Sequence, residues 1–350
     1  MDVMARLRRF AFARPSLLLL SAPTATVVRL AVERFVRGEG WSLASGAADA
    51  DALVTAGPLP PDLAAIADTL EAQLAPPCER ISVTEPDETS ERLSELPERL
   101  ARGGARVPDR PLPEEPPMAG MVEDRDGLML DALHVPLGPA LPFWPPGLRL
   151  HVQLRGDVIG HAHAETLGVD GVTGSFWDTA PAGVRALDAC VRLFGVAGWH
   201  AAHTRCLVLR DRLLARAGGD HQGERGGRRA DGGDVRAEVR RLARKARFLD
   251  PELRGLAPVP GVGDAADRLR TWLAVAAGGE SEAAPGSVET PSPISPARRT
   301  LTSAQALDLL PELVTGMELG TARLAVASLD IDVTEAGIGA VAATVGDTHG

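Results

Sequence analysis

The stretch SLLLLSAPTATVVRLAVERFVR, residues 16–37, joins a compact apolar run to a helix-like pattern. Ser16–Ser21 contains four consecutive leucines, and a short apolar run bounded by polar residues is typical of a buried strand. After the loop Ala22–Ala25, apolar residues recur at helical spacing from Thr26 to Arg37. The stretch therefore predicts a strand followed directly by a helix, which is how α/β domains begin.

The same alternation continues through the first hundred residues. Asp51–Ala56 and Arg80–Thr84 predict two further strands. Asp62–Leu74 and Glu88–Arg102 predict helices, and Asp62 stands where an N-cap is expected. Strands that alternate with helices at this rhythm indicate a parallel sheet covered by helices on its faces.

Beyond a segment rich in Pro, Arg and Glu, the pattern changes. Leu128–Leu133, Leu148–Leu154 and Val158–Ala164 predict strands, the last two as an antiparallel pair around the turn Gly156-Asp157. Helices are predicted later in the chain, over Pro181–Arg216 with a break near Gly195–Gly198, and over Asp234–Leu249, Asp264–Ala277 and Leu301–Leu313. We thus expect an α+β domain with a small antiparallel sheet and a helical bundle.

Composition shifts divide the chain into predicted domains. Low-complexity stretches that are poor in aliphatic residues are expected to be disordered insertions. The predicted organisation is an α/β domain over 1–103, a linker over 104–120, an α+β domain over 121–335 with disordered insertions near 218–233 and 278–300, and a tail over 336–350.

The charge and cysteine counts exclude several classes of function. With 37 Lys and Arg against 47 Asp and Glu, the net charge is −10, which disfavours a general nucleic-acid binder. Three cysteines are too few for a disulfide framework, and an iron–sulfur cluster normally takes four. No apolar segment is long enough to span a bilayer, and a buried strand explains Leu17–Leu20 better than a signal peptide does.

Two sets of residues have the spacing of metal ligands. His161, His163 and Glu165 alternate along a predicted strand, so all three project from one side. They are the candidate metal site, although a solvated strand face explains them as well. His200, His203 and Cys206 share one face of a predicted helix; a helix that buries the thiol and leaves both histidines at its rim is the simpler interpretation.

Several segments resemble the core subunits of respiratory complex I and of the related NiFe-hydrogenases. GPALPFWPPGLRL, residues 138–150, is similar to the G-P-Q-H-P-x-x-H-G-x-L-R-L opening of the large, hydrogenase-like core subunit. ALDACVRLFGVAGWHAAHTRCLVLRDRLL at 186–214, LPELVTG at 310–316 and ASLD at 327–330 resemble later segments of the same large subunit. DADALVTAG, residues 49–57, resembles a strand of the small core subunit.

The resemblance implies a trimmed fusion of the two subunits, with a flavodoxin-like first domain, that lacks their redox groups. The loop Ala22–Thr26 stands where the small subunit carries cluster-ligating cysteines, and Leu141 and Pro145 stand where the histidines of the large subunit reach quinone. Neither Leu nor Pro can donate a side-chain hydrogen bond, and the quinone-binding tyrosine is missing because the chain has no tyrosine. The positions equivalent to the quinone pocket are Gly138, Pro139, Leu141, Pro142 and Pro145.

From the resemblance we expect an accessory, assembly or regulatory component of a redox complex that is not catalytic alone. We expect no iron–sulfur or nickel group, and quinone is the one cofactor that stays open. The expected partners are subunits of a complex I-like or hydrogenase-like assembly, not nucleic acid. The expected location is cytoplasmic or peripheral at the cytoplasmic face of the membrane, with membrane contact only through partners. Two alternatives stay open: a divergent NADH–quinone oxidoreductase subunit that binds quinone while a partner holds the cluster, and a metal-binding module at His161, His163 and Glu165.

Overall fold

The computed structural model describes residues 3–103, 120–123, 129–219, 232–278 and 301–336. Contacts divide the chain into two compact units. The first holds the chain up to Phe176 together with the segment from Asp332, and the second runs from Trp177 to Ile331. This division falls after the antiparallel sheet, whereas the sequence places a linker before that sheet. Most of the predicted linker, both predicted insertions and most of the predicted tail lie outside the described residues, so those predictions are not tested.

Up to residue 103 the first unit contains the predicted alternation of strands and helices, together with one helix and one short strand that the sequence does not predict. Its elements up to residue 103 are α1 Val3–Ala11, β1 Ser16–Ser21, α2 Thr26–Glu39, β2 Ser42–Leu43, β3 Ala52–Ala56, α3 Pro61–Ala72, β4 Glu79–Val83, α4 Thr89–Ser94 and α5 Leu96–Arg102. The strands form a parallel sheet in the order β2-β1-β3-β4. Every residue of β3 is buried, as expected for a central strand covered on both faces.

Two predictions within this domain are wrong in detail. The helix predicted over Glu88–Arg102 is two helices that meet at Glu95. Pro97 lies in the first turn of α5, and a proline there has no N–H with which to continue the hydrogen bonds of the preceding helix. Asp62 is not an N-cap, because α3 begins at Pro61 and Pro60 precedes it. The Asp62 carboxylate instead accepts hydrogen bonds from the backbone N–H groups of Leu63 and Gly168, both at 2.8 Å.

The rest of the first unit is a separate antiparallel sheet. Its strands are β5 Gly120–Glu123, β6 Met129–Leu137, β7 Leu148–Arg155 and β8 Val158–Thr166, in the order β5-β6-β7-β8. The predicted β7–β8 pair is confirmed, since His151 pairs with His163 and Gln153 pairs with His161. Along β7, buried and partly exposed residues alternate, which leaves one face of this sheet open.

The second unit is helical, as predicted for this part of the chain. Its helices are α6 Ala182–Val196, α7 His200–Gly219, α8 Gly232–Ala246, α9 Asp250–Leu253, α10 Ala265–Ala276, α11 Ser303–Val314 and α12 Leu319–Ser328. The predicted break near Gly195–Gly198 is confirmed, and Asp264 caps α10 by accepting a hydrogen bond from the Asp267 N–H. No helix of the described residues is long and apolar enough to cross a membrane.

A buried arginine fastens the end of α12 to α10. The Arg268 guanidinium donates to the carbonyl oxygens of Ala257, Gly263 and Ser328, and also to the Ser328 hydroxyl. Burial lowers the pKa of Arg268 to about 10, with Asp264 and Asp267 acting in the opposite direction. Four hydrogen bonds thus compensate the desolvation of this cation.

Thr302 supplies a testable helix cap. Its hydroxyl accepts from the Gln305 N–H at 3.2 Å, and the Gln305 side chain accepts from the Thr302 N–H, which completes a capping box. We expect Thr302→Ala to lower the unfolding free energy of the second unit by about 1 kcal/mol, because the Gln305 N–H loses its acceptor. Urea denaturation measures the change. Thr302→Ser keeps the hydroxyl and should cost clearly less; an equal loss in both variants would contradict the capping role.

Candidate functional site

The loop between β6 and β7 holds the residues that the resemblance places at the quinone pocket. Gly138 adopts a left-handed conformation, φ +84°, and a Cβ there would lie 2.3 Å from Trp144 Nε1. Trp144 is buried, and its indole N–H donates to the Leu148 carbonyl oxygen at 2.8 Å. The tryptophan therefore fastens the loop to the first residue of β7.

The structure places all five quinone-pocket-equivalent residues in this one loop. Pro139 and Pro145 are buried, whereas Gly138, Leu141 and Pro142 are half-buried. None of these five side chains can donate a hydrogen bond to a quinone carbonyl. These positions therefore form an apolar surface. They do not fit the way in which the resembled family binds the quinone head group, which is through hydrogen bonds.

Gly147, at the end of the loop, lies directly against the loop that follows β1. A Cβ at Gly147 would lie 2.4 Å from Pro23 Cγ, 2.6 Å from the Leu167 carbonyl oxygen and 2.9 Å from Val333 Cγ2. Gly147 also adopts φ +75°, a region that favours glycine. The resemblance associates the loop after β1 with a cluster and the β6–β7 loop with quinone. At Gly147 these two loops are in contact, without space for a methyl group.

The contact occurs where open α/β sheets usually bind ligands. In the order β2-β1-β3-β4 the chain changes direction between β1 and β3, and ligands bind in the crevice beyond the carboxyl ends of such strands. Here the loop after β1 packs on the residue after β3, since a Cβ at Gly57 would lie 2.2 Å from Ala25 Cβ. A Cβ at Gly168 would meet Leu63, Pro23 and Pro60 at 3.0–3.3 Å. Apolar contacts fill this crevice.

The cysteine of the first domain lies in the core. Cys78 is buried next to β4, and burial raises the pKa of its thiol, with Glu71 and Glu79 acting in the same direction. A thiol held neutral in an apolar core is a poor metal ligand and a poor nucleophile. Together with the composition of the loop Ala22–Thr26, this location does not fit an iron–sulfur cluster.

The open face of the antiparallel sheet is rich in histidine. His161, His163 and Glu165 project from one side of β8, as their spacing predicts. The pairing register adds two residues that the spacing along β8 does not predict, His151 opposite His163 and His134 opposite Gln153. The four imidazoles line one groove of about 430 Å³.

The metal-ligating role of this face stays a prediction. Glu165 Oε2 is engaged by His151 Nε2 at 2.8 Å and by Arg149 Nη1 at 3.2 Å, so it does not lie open beside His161. The rings of His151 and His163 stack with centroids 6.4 Å apart. Among the residues that the structure describes, no three His, Cys, Asp or Glu side chains are arranged to hold a metal ion.

The Glu165 contacts give a pH-dependent prediction. Hydrogen bonding to His151, and next to it the charge of Arg149, lower the pKa of Glu165 from its ordinary value of 4.5, against partial desolvation. Because the folded-state pKa is depressed, the stabilisation exists above the unfolded pKa and disappears as the pH falls through the folded one. We expect Glu165→Gln to cost less than about 1 kcal/mol near neutral pH, given the exposure of this pair, and clearly less at an acidic pH below the ordinary pKa of 4.5. Urea denaturation at both pH values checks this; an equal cost at both would contradict it.

The second unit contains a buried ion cluster that was not predicted from the sequence. Arg210 on α7 is fully buried, and its Nη1 lies 2.7 Å from Asp188 Oδ1 on α6, which is fully buried too. The neighbouring Asp211 accepts from Arg210 Nε and Nη2 at 3.2 and 3.1 Å. A signal was available, because Arg210 follows the buried Cys206 by four residues and therefore shares the buried face of the helix.

The same ion cluster includes Asp330, which lies two residues after the end of α12. Asp330 is hydrogen-bonded to Arg192 and, at 2.9 Å, to Arg185 Nε. Burial raises the pKa of Asp330, while Arg192 and Arg185 act to lower it. Arg192 also lies 3.5 Å from Asp188, so the two carboxylates share one arginine. Asp330 is the last residue of the ASLD segment, and its carboxylate forms ion pairs within the second unit.

For the second set with metal-ligand spacing, His200, His203 and Cys206, the structure favours the simpler interpretation. Cys206 is buried, His200 is exposed and His203 is half-buried, with its Nδ1 2.9 Å from the Val191 carbonyl oxygen. The structure therefore places the thiol in the core and the histidines at the rim of α7. Cys190 is buried beside Cys206, and burial raises the pKa of its thiol well above the ordinary value.

Comparison of the chain with protein-family models, with curated proteins and with solved structures gives no match.

Proposed function

We propose that this chain is a non-catalytic homologue of the two complex I and hydrogenase core subunits, acting as an accessory, assembly or regulatory component of a redox complex. The parallel strand order β2-β1-β3-β4 supports the flavodoxin-like part of the proposal, because flavodoxin-like sheets have this order. The observation that carries the proposal is the packing of Gly147 on Pro23.

This packing joins the two loops that would hold the redox groups. In a redox-active homologue the loop after β1 would present thiolates, and the β6–β7 loop would present hydrogen-bond donors to quinone. Here the first loop contributes Ala22, Pro23 and Ala25, all buried, and the second contributes Gly147. Contacts this close leave no cavity for a cluster, and the residue types do not fit one. The scaffold is kept while its chemical groups are replaced by apolar packing.

The experiment combines anaerobic purification with identification of partners from native membranes. We expect iron far below one atom per chain, no visible cluster spectrum, and co-purification with small or large core subunits that carry complete cysteine motifs. A stoichiometric iron–sulfur cluster in the isolated chain would overturn the non-catalytic assignment. Recovery of the chain without any such partner, under conditions that keep the native complexes intact, would overturn the accessory role.

The quinone-binding alternative rests on the half-buried, apolar Leu141 and Pro142. If a partner holds the cluster, this surface would contact the quinone ring without hydrogen bonds. Titration with a short-chain quinone should then show saturable binding that Leu141→Arg abolishes. Leu43→Arg is the matched control, since Leu43 is 41% exposed on β2. Equal binding by both variants would count against this alternative.

The metal-binding alternative is favoured by the register of β7 and β8, which sets His151 beside His163. The third predicted ligand, Glu165, is held by Arg149 and His151, so a metal bound with His161 and His163 would have to displace these contacts. Zinc or nickel titration followed by calorimetry should show a site that His163→Ala weakens. His200→Ala, at an exposed histidine of α7, is the control. Equal affinity of wild type and His163→Ala would exclude the site.

A further inference from the structure

A strongly basic surface of this acidic protein lies on α8. Residues 232–249 contain six Lys and Arg against two Asp and Glu, in a chain of net charge −10. From Val235 to the end of α8, every exposed side chain is a cation. These exposed side chains are Arg236, Arg240, Arg241, Arg244 and Lys245. None of them makes an ion pair with another residue that the structure describes. Their charge is therefore available to a partner.

A groove runs beside this basic face. It has a volume of about 460 Å³ and is lined by apolar residues of the α6–α7 turn, α7 and α8 and by charged residues at its rim. Trp199, Ala201, Ala202 and Leu242 supply the apolar part, and Arg205, Arg241, Lys245 and Glu238 supply the charges. Its size lies within the range of about 300–1,000 Å³ that is usual for binding sites.

The carboxylate in the groove is already neutralised. Glu238 is 8% exposed and is paired with Arg205 and, at 3.3 Å, with Arg212. Arg241 and Lys245, one turn apart on α8, remain as cations without a described counterion. A ligand would therefore meet an apolar crevice bordered by two uncompensated positive charges.

We propose that this groove docks an acidic protein segment that carries an apolar anchor residue. The carboxylates of the segment would pair with Arg241 and Lys245, and its apolar side chain would cover Trp199 and Ala201. Such a surface combines a buried apolar contact, which supplies affinity, with a charged rim that selects the partner. The proposal stands independently of the redox-complex assignment.

Two other anionic partners fit the surface less well. A membrane-binding helix inserts its apolar face into the lipid, but the apolar residues of α8, Val235, Val239 and Leu242, are buried within the second unit. Among the described residues of this surface, Phe248 is the one large apolar side chain that is exposed, at 82%. Nucleic acid extends well beyond one groove, and the negative charge of the remaining chain would repel it.

The test measures binding of a fluorescent acidic peptide with a central leucine to the full chain by anisotropy. The double variant Arg241→Glu/Lys245→Glu should weaken binding by at least about tenfold, since two attractions become repulsions. Arg34→Glu is the matched control, because Arg34 is an exposed cation on α2, and it should leave the affinity unchanged. Ala201→Trp, which fills the groove from an exposed position, should weaken binding without any change of charge.

Three outcomes would overturn the proposal. The double variant could bind the peptide as well as the wild type does. A peptide of equal charge without the leucine could bind equally well, which would indicate only non-specific attraction to the basic face. Finally, anionic phosphatidylserine vesicles or duplex DNA could bind more tightly than the peptide in the same salt, which would identify α8 as a membrane or nucleic-acid surface.

Discussion

Asp188→Ala is expected to lower the unfolding free energy of the second unit by about 3–5 kcal/mol, because it leaves the fully buried Arg210 without its main counterion. Asp211 still accepts from Arg210 on one side, but one carboxylate oxygen cannot replace the lost pair at Nη1. Arg192 also loses a neighbour, at 3.5 Å. Urea denaturation and the yield of soluble protein measure the effect. Asp308→Ala, at an exposed aspartate of α11, is the control and should change stability by no more than about 0.5 kcal/mol.

The double variant Asp188→Leu/Arg210→Met separates the loss of a charge partner from the loss of volume. It removes both charges and keeps the space filled, so it should recover most of the stability that Asp188→Ala loses. Recovery would show that the cost of the single change lies in the loss of the Asp188 counterion from a buried cation. If the double variant is as unstable as Asp188→Ala, or if Asp188→Ala costs less than about 1 kcal/mol, the cluster does not have the role assigned to it.

The parallel sheet could be predicted because its information is local. Leu17–Leu20 is a continuous apolar run and Ala52–Ala56 is apolar except for Thr55, which is typical of strands covered on both faces. The caps of α10 and α11 are local features of the same kind, since a cap depends on residues within one turn. Helix α1 was not predicted, because its arginines interrupt the apolar residues and because its Phe10 is exposed.

The features of the structure that were not predicted depend on which residues, distant in the sequence, are in contact. His134 and His151 join the histidine face only through the pairing of β6 with β7, and no pattern within either strand states that register. Likewise, helical spacing places Arg210 on a buried face but does not indicate that Asp188 of another helix lies opposite. The contact of Gly147 with Pro23 joins two loops far apart in the chain, so only the folded structure reveals it.

Gly147→Ala is expected to destabilise the first unit by about 2–5 kcal/mol. The left-handed conformation at φ +75° costs a non-glycine residue about 1–2 kcal/mol, and the added methyl group must displace Pro23 or the Leu167 carbonyl. Gly156→Ala is the matched control. Gly156 has a similar φ of +62°, but a Cβ there would have no heavy atom within 4 Å, so it should show the strain of the backbone alone.

The difference between these two variants also tests whether the crevice between β1 and β3 is filled. Hydrogen exchange of peptides from Ser16–Ser21 and Leu148–Arg155 locates the effect in the first unit, separately from the second. If the loops pack as described, Gly147→Ala should increase exchange in both peptides well beyond Gly156→Ala, because moving Pro23 disturbs the end of β1 as well as the β6–β7 loop. If the crevice were instead an open ligand site, the methyl group would project into free space and the two variants would be equally stable. Equal exchange would therefore contradict both the close packing and the non-catalytic scaffold that rests on it.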